Sequence, residues 1–398
     1  MSFKVAIGVS TGKTIPEAAQ EAALKCISQI STPGEASLAL VFSTPDFASA
    51  GLLKSIRQVL KSTIPIIGGC AVNLITSEGI QKQGVIIALL SLANTKISCG
   101  LIETTKNKDP LLNAQELGTA LASHLKGQRR QFCLLFNDGL SENTSGLIKG
   151  LQSVLGVSFP FIGGGSSDNL KFKQTYQYYD QRVLNKGTVC ALLAGKLNFG
   201  LGIKHGWRPL GKARVITESG GNIIKKIDGQ NACYLYEDYF AKTIKELKKE
   251  LPRISILYPI GVYLKGESEY LLRNIVSLNE DGSITTQGDV PQGSSIRLMI
   301  ATKESCLEAA RQAALQVQVN LRDKKAEFAL VISSASRAYL LGRQAHSEIK
   351  IIREVLGRET PLFGFYSYGE YAPLGSINYY GQTYLHNQTI AILGIAQE

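Results

Sequence analysis

Between Pro361 and Glu370 the chain reads P-L-F-G-F-Y-S-Y-G-E. Phe365, Tyr366, Ser367, Tyr368 and the carboxylate of Glu370 follow within six residues of Gly364. An apolar run that ends in two phenols, a hydroxyl and an acid describes a buried strand opening into a polar site. The glycine would let another group approach the backbone closely there. The phrase returns in weaker form at Pro65–Asn73 (P-I-I-G-G-C-A-V-N) and Pro160–Asp168 (P-F-I-G-G-G-S-S-D). Three copies of one strand-to-site transition predict a shared concave binding site.

Further polar residues fall at the ends of predicted strands: Ser43, Thr44 and Asn73; then Asn137, Asp138, Ser166, Ser167 and Asp168; then Ser333, Ser334 and Arg337. Ligands of α/β sheets bind beyond the carboxyl ends of strands. Arg273 interrupts the apolar run L-L-R-N-I-V, where a cation needs a carboxylate partner or an anionic ligand. A small molecule with a carboxylate and an amine would suit Arg273 or Arg337 together with Glu370. An internal arginine–glutamate salt bridge fits the same residues. His386, beside Asn387 and just before an apolar strand, is placed to face the same site.

Other chemistries fit less well. Gly8–Thr14 (G-V-S-T-G-K-T) is one residue too short to wrap a phosphate as a P-loop, so it reads as a strand-to-helix turn capped by Thr14. Neither G-x-G-x-x-G nor G-x-S-x-G occurs, and His124, His205, His346 and His386 are scattered, with no pair at metal-ligand spacing. A hydrolase or transferase using Ser334, Ser367 or His386 remains the competing reading. No cofactor is implied.

The elements that would position these residues repeat. A helix over Pro16–Ile30, a buried strand Ala36–Ser43, a helix Phe47–Leu60, the strand Pro65–Cys70 and an apolar strand Gly84–Leu92 make a first unit. The same order recurs over Leu111–Gly195, with an extra strand at Phe172–Tyr179, and over Ser305–Ile395, with Ile377–Tyr384 in the matching place. Pro65 to Pro160 is 95 residues and Phe42 to Phe136 is 94, an offset that argues for duplication. An α+β insertion fills about 199–300, with a hairpin through Asp281-Gly282 and a helix over Asn231–Leu251. The expected fold is α/β: two lobes built from three repeated units with mixed sheets flanked by helices, divided near residue 197.

Composition narrows the class. Hydrophobic residues make up 44% and charged residues 19% of 398, the profile of a packed globule of more than one domain. The net charge of +11 reads as a solvated surface rather than a nucleic-acid face, because Glu246 and Glu250 interleave with the lysines of Lys242–Arg253 at ion-pairing spacing. Seven dispersed cysteines suggest reduced, mostly buried thiols of a cytoplasmic protein. No signal peptide is visible, and no apolar stretch is long enough to enter a membrane.

Several of these stretches are familiar. Pro361–Glu370, H-N-Q-T at His386–Thr389, L-L-R-N-I-V at Leu271–Val276, V-P-Q-G-S-S-I-R-L at Val290–Leu298 and S-R-A-Y-L-L-G at Ser336–Gly342 resemble the C-terminal half of the FIST family. Ser37–Cys70 resembles its N-terminal half, so the likeness spans nearly the whole chain, with residues 1–197 as the N-terminal-like and 198–398 as the C-terminal-like domain. The resemblance implies a sensory, signal-transduction protein that binds small ligands such as amino acids and passes the event to a protein partner. A cysteine commonly stands in the family where this chain has Ser334, which removes thiol chemistry from that position. The expected pocket comprises Arg273, Ser334, Arg337, Tyr366, Ser367, Tyr368, Glu370, His386 and Asn387.

Overall fold

A computed structural model describes residues 3–30, 36–92, 94–103, 109–142, 144–267, 269–322, 324–374 and 381–396. Each unit runs edge strand, helix, inner strand, helical segment, glycine-ended strand, hairpin and closing strand. The first sheet is ordered Lys4–Ser10, Val85–Ser91, Leu38–Ser43, Ile66–Cys70. The second is Thr95–Glu103, Gly187–Gly195, Arg130–Asp138, Phe161–Ser166, and the third Asn198–Lys204, Ile390–Ala396, Phe328–Ser334, Leu362–Ser367. Inner and glycine-ended strands are parallel and the closing strands antiparallel, so all three sheets are mixed. The closing strands are flanked on both sides and are buried along nearly their whole length, as their apolar sequences predict.

The units exchange hairpins cyclically. The second unit's hairpin, Tyr176–Tyr179 with Arg182–Asn185, completes the first sheet. Glu370–Pro373 with Thr383–His386 of the third unit completes the second sheet, and Leu74–Thr76 with Gly79–Gln81 of the first completes the third. The three inner faces share one core, in which Phe42 lies 5.0 Å from Phe136 and 4.1 Å from Phe365, ring centre to ring centre. Helices Ile15–Ile27 and Ala50–Leu60, Pro110–His124 and Thr144–Leu155, and Lys303–Asn320 and Ala345–Leu356 cover the outer faces. Thr14, Asp109 and Thr302 cap the helices that open the units. Thr14 closes a capping box with Glu17, so Gly8–Thr14 is a strand-to-helix turn. Gly8 serves packing: a Cβ there would sit 1.9 Å from Ala22 O of the helix above.

The third unit departs from expectation at its start. Asn198–Lys204, assigned above to the insertion, is this unit's edge strand, so the insertion interrupts the connection between edge strand and helix. Gly200 and Gly202 weaken its strand pattern, yet they let helix Lys303–Asn320 approach: a Cβ on Gly202 would meet Ala313 O at 1.9 Å. The insertion forms a fourth sheet with its own core under helix Ile244–Leu257. Its hairpin turns at Asp281-Gly282 as predicted, joining Ile275–Leu278 to Ile284–Thr286. Tyr270–Arg273 instead pairs with Ile260–Tyr263. The expected single helix is two, Tyr234–Phe240 and Ile244–Leu257, parted by Ala241 in a left-handed conformation. The expected Glu–Lys ladder is also absent among the described residues, because Glu246 caps Thr243 and Lys242 pairs with Glu250. The strand predicted at Phe172–Tyr179 is shorter, Tyr176–Tyr179; of Ile377–Tyr384, residues 377–380 lie outside the described residues.

Candidate functional site: a buried polar seam

The three glycine-ended strands do meet. Ser167 Oγ of the second unit donates to Tyr366 O of the third (2.6 Å) and accepts from Val72 N–H of the first (2.9 Å). The Ser167 N–H donates to Cys70 O (3.0 Å), so the strand ends close on one another through hydrogen bonds. Burial pushes the Cys70 thiol up to about 12, which leaves it a poor nucleophile.

Strand alternation then sorts the expected pocket into two chambers, because successive side chains point to opposite faces. Tyr366 points outward under the helices. There Arg337, fully buried, donates to Glu348 Oε1 through Nε (3.0 Å) and Nη2 (2.5 Å), to His205 O (2.6 Å) and to Cys306 O (2.8 Å). Ser333 Oγ and the Tyr366 hydroxyl donate to Glu348 Oε2. The salt bridge anticipated between Arg337 and Glu370 is therefore made with Glu348. Glu348 was missed because a carboxylate on a helix reads as solvent-facing. Its register was the available signal, since Ala345, Glu348, Ile349, Ile352 and Leu356 form one buried stripe.

Ser367 points to the other side, the inner face, where its Cβ would lie 3.0 Å from a Cβ placed on Gly164 of the second unit. Its Oγ donates to Glu370 Oε1 (2.6 Å), and Thr389 donates to Glu370 Oε2 through its N–H (3.1 Å) and its Oγ1 (2.7 Å). Ser334 is paired with Ser367 in the sheet register and caps helix Ala335–Leu341. Asn387 Oδ1 accepts from Asn274 N–H (2.9 Å), while Asn387 Nδ2 donates to Gln287 Oε1 (3.1 Å). Gln388, next in sequence, donates to Asn274 Oδ1 and Ser255 O, and its own Oε1 is buried without a partner among the described residues. Gln287 Nε2 donates to Tyr368 O (3.0 Å). Tyr368 donates to Asp168 Oδ1 (2.8 Å) and stacks on Phe172 (4.8 Å).

Arg273 and His386 border this seam as structural groups. Arg273 donates to the carbonyls of Asp289, Leu272 and Leu385, and burial lowers its pKa to about 10. The Nε2 of His386 lies 2.9 Å from Ala372 O, and burial lowers its pKa to about 3, so the ring is neutral. Three of the quoted stretches, L-L-R-N, F-Y-S-Y-G-E and H-N-Q-T, thus meet at one buried seam between the fourth sheet and the ring of units. Asn274, Gln388 and Thr389 stood inside those stretches and were passed over because uncharged amides and hydroxyls carry little signal alone. Gln287 had no signal of its own.

Glu370 is the unusual group. It is fully buried without a cation in contact among the described residues, and burial raises its pKa to about 7, against the pull of the Ser367 and Thr389 hydrogen bonds. A raised carboxyl makes the folded state hold its proton more tightly than the unfolded chain. Its contribution is complete below the unfolded value near 4.5 and is lost as pH rises through about 7. Urea unfolding from pH 5 to 8 should show wild type losing about 2.5 kcal/mol relative to Glu370→Gln, which keeps the neutral shape. Parallel stability curves for the two proteins would show that Glu370 does not titrate in this window.

No group of three metal-ligating side chains occurs among the described residues, and none of their helices is long and apolar enough to cross a membrane. Comparison with known proteins finds an "Uncharacterized protein MJ1623" of Methanocaldococcus jannaschii, 24% identical over 292 residues. That alignment takes in 67% of this chain and 54% of the relative, so the chain matches about half the length of that protein. Among solved structures, cyanuric acid hydrolase from A. caulinodans aligns over 100% of both chains at 9% identity and a TM-score of 0.37. T. maritima PurL complexed with ADP aligns over 100% of this chain and 72% of its own at 9% identity and a TM-score of 0.23. Both structural likenesses are weak. Family models match most of the chain: the FIST N domain over residues 37–230 and the FIST C domain over 232–373. With most of its length accounted for in this way, and with three of the stretches that resemble the C-terminal half gathered at one seam, the chain belongs to the FIST family of sensory, signal-transduction domains.

Proposed function

We propose that the protein senses a small polar ligand of amino-acid type at the seam and relays its binding to a protein partner. The observation that carries this reading is the meeting of three motifs at one polar boundary between two separately cored bodies. Such a boundary is held by hydrogen bonds more than by apolar burial, so it opens at lower cost than a core. Two groups in it favour a cationic donor: among the described residues Glu370 has no cation in contact and Gln388 Oε1 lacks a donor. An ammonium group is the donor that either would take. In this reading Ser334, Ser367, Tyr368, Glu370, Asn387, His386 and Arg273 surround the ligand, and Arg337 and Tyr366 support the strand from its other face. Calorimetry with a panel of amino acids should find one that binds wild type and binds Asn387→Ala at least tenfold more weakly. Binding of no panel member, or unchanged affinity in the variant, would remove the ligand from the seam.

A second reading, a hydrolase or transferase, is favoured by one contact: Ser367 Oγ and Glu370 Oε1 stand at nucleophile–base distance, 2.6 Å. Glu370, raised to about 7, would be the base. Labelling of Ser367 by a serine-directed phosphonate would support this reading over the first.

A further inference from the structure

The ring closes where the first unit's hairpin joins the third sheet. Beside that closure, on the outer surface, lies a hollow of about 390 Å³ bordered by Ser77, Glu78, His346, Lys350, Arg353 and Arg358. Its size is that of a small-molecule site. His346, Lys350 and Arg353 stand at i, i+4 and i+7 of helix Ala345–Leu356, so one edge of the helix forms a wall. The opposite wall is the hairpin turn.

The walls are fixed by specific contacts. Arg353 Nη1 donates to Ser77 O (2.9 Å) and its Nε to Arg358 O (3.1 Å), tying the turn to the loop beyond the helix. Ser77 Oγ accepts from Leu362 N–H (2.9 Å), which anchors the turn to the sheet. Gly79 leaves room for the imidazole, since a Cβ there would lie 2.6 Å from His346 Nδ1. The Lys350 ammonium and the Arg358 guanidinium, by contrast, have no hydrogen bond or ion pair among the described residues. Of the two carboxylates on the rim, Glu354 faces Arg311 (3.8 Å), which leaves Glu78 to oppose the cations.

We propose that this hollow binds a small anion through a carboxylate or phosphoryl group. The anion sits between Lys350 and Arg358, with Arg353 as a fixed third charge. The site is separate from the polar seam. An occupant touches the first unit's hairpin and the third unit's helix together, so it fastens the closure of the ring. The test uses the full chain, with inorganic phosphate and succinate as separate probes and chloride at equal ionic strength as the screening control. One or both probes should bind wild type at millimolar concentration and raise its melting temperature beyond the chloride effect. The double variant Lys350→Glu/Arg358→Glu should lose at least tenfold in affinity, and Lys350→Gln/Arg358→Gln should lose less. Both changes are at exposed side chains, and an unaltered circular dichroism spectrum separates lost binding from lost fold. Glu370→Gln should bind the probes as wild type does, so failure of the seam reading leaves this result standing. A preference for phosphate or for succinate identifies the group recognised. Equal binding in wild type and the charge-reversed variant, or binding of neither probe, overturns the proposal.

Discussion

Alanine at Gly364 is expected to cost more than about 4 kcal/mol and to leave little folded protein. The glycine's missing side chain would point at the neighbouring parallel strand, where a Cβ would lie 1.8 Å from Val331 O and 2.8 Å from its carbonyl carbon. These are backbone atoms of a fully buried strand, so no rotamer change can relieve the contact. Relief would require the two strands to part, which breaks the register that sets Ser333 beside Tyr366 and Ser334 beside Ser367. The same geometry recurs at Gly68, 1.8 Å from Val41 O, and at Gly163, 1.7 Å from Leu135 O. All three alanine variants should therefore fail alike, although the residues around them differ. Gly220→Ala, where the added atom meets nothing within 4 Å, should stay within about 0.5 kcal/mol of wild type. Urea midpoints decide the matter. A Gly364→Ala protein as stable as wild type would mean that the strand pair is more open than the structure shows.

Repetition made the fold legible. The three glycine-ended strands, the apolar closing strands and most helices follow from apolar spacing and from the 95-residue offset. The exchange of hairpins was not legible, because Tyr176–Tyr179 reads as an extra strand whichever sheet it joins. Pairing partners far apart in sequence leave no periodic trace. The site was legible as a set of motifs but not as a geometry. Tyr366 and Ser367 are neighbours in sequence, yet the pleat sends them into different chambers, one to Glu348 and one to Glu370. Arginine–glutamate matching by motif then chose Glu370 for Arg337, where the apolar stripe of the following helix had already placed Glu348 inside. Arg273, Arg337 and Glu370 were found by their charge; of the amides that join the fourth sheet to the ring, Asn387 was found, but Asn274, Gln287 and Gln388 were not, because their role exists only when both sides are present.

The Arg337–Glu348 pair supplies the other large effect. Both side chains are fully buried, and the guanidinium also holds the carbonyls of His205 and Cys306, joining the third unit's edge strand, its first helix and the strand end beneath the seam. Removing one partner leaves the other charge buried without compensation, which costs about 3–5 kcal/mol. Arg337→Met and Glu348→Leu should each lower stability by that amount. The double variant should recover a good part of the loss, because two apolar groups of similar length leave no stranded charge. A double-mutant cycle from urea unfolding reads the coupling directly. The effect should also reach the seam. Ser333 donates to Glu348, and its carbonyl lies 3.3 Å from Ser367 Oγ, the hydroxyl that holds Glu370. Loss of the ion pair therefore loosens the strand end that carries the seam's carboxylate. In the double variant the Glu370 titration should move while the fold persists. Additive single-variant losses would show instead that the two side chains act apart, with Arg337 serving the backbone carbonyls alone.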